Sequence, residues 1–389
     1  MPSIYFDNSA TTRVDDRVLE AMRPYYLENY GNASSLHHFG RVAAEVLVEA
    51  RKQVAAGIKA KDAEMIMTSG GTEADNLAII GLAYANKEGK RKKIITSVIE
   101  HHAVLHSCDF LDFLGYEIVK LPTDAEGMVD PALLAQHVDD STLLVSIMLA
   151  NNEIGTIQDI KQMTTIAHER GALFHTDAVQ AVCKMPIDVN KLGVDMLSMS
   201  AHKFHGPKGV GALYLRKGTR VRAILNGGGQ ERGLRSSTEN VPGIVGMGKA
   251  MELGTSMLED DMAHMQRIRD RLIQGTLSSV ERSYLNGHRT KRLCNNAHFR
   301  FDYIEGESLV LYLDMKGVAG STGSACSSKS LDPSHVLMAL GLEAEQAHGS
   351  LRLSLSRFSR MDEAEQYLNV IGEVVERLRL MSPTCPPKE

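Results

Sequence analysis

Short apolar runs alternate with longer amphipathic segments through the first part of the chain. The runs are too brief for helices and several are almost free of polar residues; they occupy residues 65–67, 93–96, 143–148, 172–175, 196–199 and 211–215. Nearly continuous apolar strands are typical of a parallel sheet that is covered on both faces. Helical periodicity lies between the runs, as over 73–85 and 160–170. The pattern predicts an α/β fold with a mostly parallel sheet.

The pattern changes after about residue 258. A charged helical stretch covers 259–274, a loop rich in Gly and Ser covers 320–330, and a final helix is predicted near 362–380. A chain of 389 residues is long enough for two domains. We predict a large domain over 13–258 and a smaller α+β domain over 259–389, with residues 1–12 joining the smaller one.

Charge and composition narrow the possible partners. A formal net charge of −5 argues against nucleic acid, and the densest basic run, 90–93, is interpreted as a solvated turn between a helix and a strand. No apolar stretch reaches the roughly 18 residues that span a bilayer. The N-terminus lacks the basic and apolar regions of a signal peptide. These features predict a cytoplasmic protein with neither a membrane nor a nucleic-acid partner.

Polar, chemically capable residues follow five of the predicted strands. They are residues 68–73 (TSGGTE), 100–102 (EHH), 151–153 (NNE), 176–180 (TDAVQ) and 200–203 (SAHK). Ligands of open α/β sheets bind beyond the carboxyl ends of the strands. One such segment would be ordinary, but five at one edge of a sheet predict a binding site there.

The turn at 68–72 could be a plain helix cap, but it also offers backbone N–H groups and hydroxyls to a phosphate. Asp177 and Lys203 could each be ordinary surface residues. Together with a phosphate turn they match the needs of pyridoxal 5′-phosphate, which takes a Lys for its Schiff base and an Asp for its ring nitrogen. The residues therefore favour pyridoxal phosphate as cofactor.

His101 could be a buried core histidine or part of the site. A metal site would need ligands at workable spacing, and the chain has neither a His-Glu-x-x-His motif nor a Cys/His quartet, so no metal is predicted. Residues 243–250 resemble a phosphate-binding P-loop, but Ala250 replaces the Mg²⁺-binding Ser or Thr and no strand precedes the segment. We interpret it as a helix.

The five cysteines are widely spaced and form no Cys-x-x-Cys pair, which argues against a disulfide framework and a structural zinc site. Cys108 and Cys183 lie in or beside apolar runs and are expected to pack in the core. Cys326 lies among small residues (STGSACSS), where a thiol is accessible. It is the best candidate for a nucleophile, although the sequence environment alone leaves a passive thiol possible.

These segments together resemble the cysteine desulfurases of the class V aminotransferase group, in the iron–sulfur-assembly and nitrogen-fixation branch. The likeness covers residues 5–383; its marks are 7–12 (DNSATT), 30–35 (YGNASS), 68–73 (TSGGTE), 100–101 (EH), 151–155 (NNEIG), 175–180 (HTDAVQ), 200–209 (SAHKFHGPKG) and 323–328 (GSACSS). The resemblance implies a fold-type I pyridoxal-phosphate enzyme with a seven-stranded sheet in its large domain. It also implies a homodimer.

The resemblance also implies a role for each matching residue. Around the cofactor, the implied positions are the Schiff-base lysine (Lys203), the stacking and proton-moving histidine (His101), the ring-nitrogen partner (Asp177), the phenolic-oxygen partner (Gln180) and the phosphate ligands (Gly71, Thr72, Ser200 and His202). Thr238 would reach the phosphate of the other subunit's cofactor, although Ser237 stands before it where the family usually has Gly. Asn152 would lie beside cofactor and substrate, and Arg352 would bind the substrate carboxylate.

The implied reaction converts L-cysteine to L-alanine, with the sulfur held on Cys326 as a persulfide and passed to an iron–sulfur scaffold protein or another acceptor. Cys326 could in addition be a transient cluster ligand. The same fold also serves selenocysteine lyases and class V aminotransferases, and a non-catalytic sulfur-transfer scaffold is a further alternative. The Cys-bearing loop favours the desulfurase over the first two, and the full set of Lys203, Asp177, His101 and Cys326 argues against the third.

Overall fold

A computed structural model describes residues 4–87, 89–323 and 332–386. In chain order the strands of this part are β1 (Ile4–Tyr5), β2 (Met65–Thr68), β3 (Lys93–Ser97), β4 (Glu117–Leu121), β5 (Thr142–Ser146), β6 (Leu173–Asp177), β7 (Met196–Ser200), β8 (Gly211–Leu215), β9 (Ser283–Leu285), β10 (Asn296–Phe301), β11 (Val318–Ala319) and β12 (Ser350–Ser354). Every apolar run that predicts a strand therefore contains one. The interval of residues 324–331, which holds Cys326, lies outside the described residues.

Seven of these strands form the central sheet, in the order β2-β8-β7-β6-β5-β3-β4. Strand β8 pairs antiparallel with both of its neighbours, while the other pairs are parallel. The carboxyl ends of β2, β3, β5, β6 and β7 consequently meet at one edge. The prediction of a mostly parallel, seven-stranded α/β sheet is confirmed.

Some helices of the described residues cover the central sheet, and others pack against the smaller sheet β12-β10-β9. They are α1 (Asp16–Met22), α2 (Pro24–Leu27), α3 (His38–Gly57), α4 (Gly71–Ala85), α5 (His102–Phe113), α6 (Pro131–His137), α7 (Ile160–Glu169), α8 (Val189–Leu192), α9 (Val241–Ser256), α10 (Leu258–Ser279), α11 (Gly306–Met315), α12 (His335–Ala339), α13 (Ala344–His348) and α14 (Met361–Met381). None of these helices is both long and apolar enough to cross a membrane. Because the glycine-rich segment 243–250 lies inside α9, capped by Asn240, its interpretation as a helix is confirmed.

The helices and strands pack around two large apolar cores. One lies around the central sheet and includes Phe174 and Leu197. The other gathers the antiparallel sheet β12-β10-β9 and helices α10, α11 and α14, with Tyr367 fully buried. The first residues join this second core, since Ile4 and Phe6 are buried in it and β1 pairs with β11. The division of the chain into domains near residue 258 stays a prediction.

The structure of the basic run 90–93 differs in part from the predicted solvated turn. Lys93 is the first residue of β3 and is only 9% exposed. Its ammonium group pairs with Asp139 and lies 3.7 Å from Glu117, because a charge at the buried start of a strand needs a carboxylate partner. The preceding three basic residues, 90–92, lie in an irregular segment before β3.

Candidate active site

A cavity of about 400 Å³ opens at the carboxyl edge of the central sheet. Ten of the sequence-predicted site residues line it: Gly71, Thr72, His101, Asn152, Asp177, Gln180, Ser200, His202, Lys203 and Arg352. Two predicted residues do not. Thr238 is exposed and lies away from this cavity, and Cys326 lies outside the described residues. The expectation that five strand ends meet around one site therefore agrees with the geometry.

Lys203 follows β7 directly, in a short 3₁₀ turn. Its Nζ donates hydrogen bonds to the backbone carbonyls of Ser9 at 2.6 Å and Ala10 at 2.7 Å. These carbonyls belong to the N-terminal segment, which is itself tied to the turn by the bond from Thr12 N to the His202 carbonyl. Two neutral carbonyls therefore hold the amine at the edge of the cavity.

Asp177 is the last residue of β6 and is 6% exposed. Its Oδ1 accepts a hydrogen bond of 2.8 Å from the Val179 N–H. Burial raises the pKa of Asp177 to about 6, against the lowering effects of that hydrogen bond and of the Lys203 charge. At pH 7 the carboxyl is therefore mainly ionised and can pair with a cationic group in the cavity.

Asp75 is a second buried carboxyl of the same cavity, which the sequence analysis missed. Burial, reinforced by the charge of Asp177, raises the pKa of Asp75 well above its ordinary value. Behind it, His175 lies between Ser146 Oγ at 2.8 Å and Ser198 Oγ at 3.0 Å. Since Asp75 lies one helical turn after Gly71, helical spacing from the phosphate turn would have placed it on the same face.

His101 caps helix α5, where its Nδ1 accepts a hydrogen bond of 3.1 Å from the Ala103 N–H. Burial lowers the pKa of His101 to about 4, and the nearby Lys203 charge acts in the same direction. The imidazole is therefore neutral at pH 7, with its proton on Nε2. A neutral ring can lie against an aromatic ligand and can still accept or donate a proton.

The turn after β2 leads straight into helix α4, whose first turn leaves backbone N–H groups without intrahelical partners. Gly71 is required here, because a Cβ would come within 2.6 Å of Val179 Cγ2. Ser200 and His202 line the same end of the cavity, and burial lowers the pKa of His202 to about 4. Neutral donors at a helix N-terminus suit a phosphate group.

Arg352, on β12, is 2% exposed. Its Nη2 lies 2.9 Å from Asp7 Oδ1, and its Nη1 donates to the carbonyls of Asn152 and Gly323. Two buried polar atoms beside the cavity, Arg352 Nε and Asn152 Oδ1, have no hydrogen-bond partner among the described residues. Such atoms are suited to an incoming polar ligand.

The residues fit pyridoxal 5′-phosphate. The amine, the buried carboxyls, the flat neutral imidazole and the helix N-terminus that this cofactor needs share one cavity, and Gly71 keeps its phosphate end open. A metal ion is less suited to the site, since no group of three or more His, Cys, Asp or Glu residues could hold one in the part of the chain that is described.

The comparisons with known proteins define the family. The model of the aminotransferase class-V family matches residues 4–367, so the chain belongs to that family. Within it, the chain is 53% identical to the cysteine desulfurase IscS of Methanosarcina thermophila, over 99% of this chain and 95% of the relative. It is 45% identical to the cysteine desulfurase NifS of Azotobacter vinelandii, over 98% and 95%.

Solved structures agree with these relatives. A NifS-like protein superposes with a TM-score of 0.91 at 40% identity, covering 97% of this chain and 100% of its own. The structure of SspA in complex with cysteine has a TM-score of 0.81 at 34% identity, covering 92% and 100%. The resemblance drawn from the sequence motifs is therefore confirmed, and this chain is similar to cysteine desulfurases over almost its whole length.

Glu100 is buried behind the cavity, and this burial makes the stability of the folded protein depend on pH. Its carboxyl contacts Ser97 Oγ at 2.5 Å and the Met148 N–H at 3.0 Å, and burial raises its pKa from 4.5 to about 8. The folded protein then holds a proton that the unfolded chain has released, so stability falls as pH rises from 4.5 to 8, by at most about 1.4 kcal/mol per unit. Glu100→Gln, which mimics the protonated acid, removes this loss.

We therefore expect the melting temperature of Glu100→Gln, relative to the natural protein, to increase steadily between pH 5 and pH 8. Thermal unfolding of the cofactor-free proteins across this range provides the measurement. Glu20→Gln, at an exposed position of α1, is the matched control and should show no such trend. A constant difference between Glu100→Gln and the natural protein would show that Glu100 is ionised when folded.

Proposed function

We propose that this protein is a pyridoxal-phosphate-dependent cysteine desulfurase that converts L-cysteine to L-alanine and takes the sulfur onto Cys326. The reaction balances as L-cysteine plus the Cys326 thiol giving L-alanine plus a Cys326 persulfide. The observation that carries the proposal is the single cavity shared by Lys203, Asp177, His101 and Arg352. The identity to cysteine desulfurases supports it.

Three features of the cavity would hold the cofactor. We assign its phosphate to the N-terminus of α4 at Gly71 and Thr72, with Ser200 and His202, and its covalent attachment to Lys203. Asp177 would bind the ring nitrogen and keep it protonated. When bound, the cofactor acts as an electron sink for the substrate's Cα.

Proton movements fall to Lys203 and His101. Lys203 Nζ donates hydrogen bonds to the carbonyls of Ser9 and Ala10, and it would exchange these contacts for the substrate when it removes the Cα proton. His101, neutral at pH 7, can relay protons from Nε2. A proton delivered to the substrate's terminal carbon completes alanine once the sulfur has left.

We propose that Arg352 binds the substrate carboxylate beside Asn152. A change at Arg352 should therefore weaken the binding of L-cysteine. Arg352→Lys should raise KM for L-cysteine by roughly tenfold to a hundredfold, because a charge-assisted hydrogen bond worth about 1.5–3 kcal/mol is lost. The turnover number should fall far less. Initial rates of alanine formation over a range of cysteine concentrations give both constants. The control is Arg360→Lys, which changes the arginine of an exposed ion pair on the surface. An unchanged KM would remove Arg352 from the substrate site.

The sulfur acceptor and the second subunit belong to the same proposal. We assign Thr238 to the cofactor phosphate of a partner subunit, which fits its exposure outside its own cavity. Ser237 before it has a φ of 144°, a conformation that favours glycine, so a serine at this position is strained. The persulfide would pass to an iron–sulfur scaffold protein or another acceptor in the cytoplasm, where thiols stay reduced.

The test is to load the purified protein with pyridoxal phosphate and supply L-cysteine and a reductant. The proposal expects a yellow protein that forms alanine and sulfide in equal amounts. L-selenocysteine and an amino acid with a keto-acid acceptor are supplied in parallel, because a lyase would prefer the first and an aminotransferase the second. A colourless protein, or one that only exchanges amino groups, contradicts the proposal.

A further inference from the structure

Lys184 is a buried cation that has no role in the mechanism proposed above. It lies in the turn after β6, is 5% exposed, and has no carboxylate within ion-pair distance among the described residues. Its Nζ instead donates to the backbone carbonyl of Gln180 at 3.1 Å and to Gln180 Oε1 at 3.4 Å. A buried charge is costly, so its retention beside a neutral amide calls for a reason.

The contact with Lys184 decides which way the Gln180 amide points. An ammonium group can only donate hydrogen bonds, so the amide atom that faces it must be the oxygen. The Nε2 group is then directed to the other side, where it donates to the Ser9 carbonyl at 2.9 Å. The same carbonyl accepts a hydrogen bond from Lys203 Nζ at 2.6 Å. Lys184, Gln180, Ser9 and Lys203 thus form one connected chain.

We infer that Lys184 is a positioning residue: by holding Gln180 Oε1, it directs the second N–H of Gln180 into the cavity as the donor for the cofactor's phenolic oxygen. This inference rests on the proposed function. Without Lys184, rotation of the amide by half a turn would place Oε1 against the Ser9 carbonyl and toward the phenolic oxygen, where two acceptors would face each other. Both contacts would then be repulsive.

The surroundings of Lys184 include one carboxyl group, that of Asp261, which pairs with Arg357 at 2.8 Å. Titratable groups that influence its pKa or line the small cavity beside it are Lys203, Cys183, Cys294, His205, Asp261 and Arg357. Burial lowers the pKa of Lys184 to about 8, and the charge of Lys203 acts in the same direction. The ammonium form, which predominates at pH 7, polarises the Gln180 amide and strengthens its N–H as a donor.

A stronger donor favours the anionic form of the phenolic oxygen and draws charge from it. This effect lowers the pH at which the bound cofactor changes colour. Lys184→Met is therefore expected to raise the midpoint of this absorbance change by about one pH unit, and to weaken cofactor binding about tenfold. Thermal unfolding of the cofactor-free variant reports separately whether the fold is kept.

Three further variants isolate the effect. Lys161→Met removes the same charge from an exposed position of α7 and should leave the midpoint unchanged. Lys184→Gln is a second neutral variant that keeps a polar group, and it should shift the midpoint in the same direction if Lys184→Met does not fold. In a Gln180→Ala background, Lys184→Met should cause no further shift, because its effect acts through the amide.

The outcomes separate this inference from the proposed function. A natural protein that binds no pyridoxal phosphate overturns both. A natural protein that is yellow and makes alanine, with a midpoint that is unchanged in both Lys184 variants, overturns the inference alone. A shift that is equally large with and without Gln180 shows a direct action of the charge and also overturns the positioning role.

Discussion

Replacement of Lys203 with alanine is expected to lower alanine formation by roughly 10²–10⁴-fold, the range that a positioned general base contributes. The amine is proposed both to carry the cofactor and to remove the Cα proton, so the variant loses two functions at once. Pyridoxal phosphate should still bind through the phosphate turn and Asp177, but without a covalent link. Absorbance spectra before and after gel filtration measure the attachment, and a steady-state alanine assay measures the rate.

The control for this variant is Lys161→Ala, which removes an exposed lysine from α7. It should keep both the colour and the rate. Added small amines should restore part of the activity of Lys203→Ala, because they can replace the missing base in the space that the side chain leaves. If the variant kept the natural rate and colour, another lysine would have to carry the cofactor, and the proposed centre of the site would be wrong.

Replacement of Cys326 with serine should abolish persulfide formation and leave the cofactor in place. A hydroxyl cannot accept sulfur under these conditions, since only a thiolate gives the persulfide product. The yellow colour and its response to added L-cysteine should persist, because cofactor and substrate binding are assigned to other residues. Labelling with radioactive cysteine sulfur, followed by denaturation, measures the protein-bound sulfur directly.

The other cysteines provide the comparison for Cys326. Cys108, Cys183 and Cys294 are buried, and burial raises the pKa of each of these thiols to 11 or above. Cys385 is partly exposed, so Cys385→Ser is the matched variant, and it should keep full sulfur transfer. Persistent labelling in Cys326→Ser, or its loss in Cys385→Ser, would assign the sulfur carrier to a different residue.

The central sheet and most of the site could be predicted because both follow from local patterns. Apolar runs gave the strands, and parallel pairing brings their carboxyl ends to one edge, so Thr72, His101 and Lys203 meet without any knowledge of long-range contacts. The burial of Cys108 and Cys183 also follows from the apolar residues around them. The roles proposed for these residues rest on chemistry and on the family likeness.

Other parts of the site depend on contacts that no local pattern contains. Asp75 looks like an ordinary polar residue of a helix, and its importance appears only when Asp177 is seen beside it. Lys184 looks like a surface lysine, but the chain turns it inward onto Gln180. The carbonyls of Ser9 and Ala10 approach Lys203 because residues distant in sequence fold together. Every residue has a backbone carbonyl, so the residue types in the sequence do not reveal this contact.

The N-terminal segment also dictates when the site can be completed during synthesis. Its carbonyls hold Lys203, while Asp7 pairs with Arg352 and Asn8 bonds to the backbone of Ser354 near the other end of the chain. The segment is translated before β11 and β12, yet it pairs with both of them. The strands of the central sheet are also translated before β12, so they can assemble before the contacts that hold the N-terminal segment are complete. The cavity that is proposed to hold the cofactor is therefore completed only after β12 has been translated.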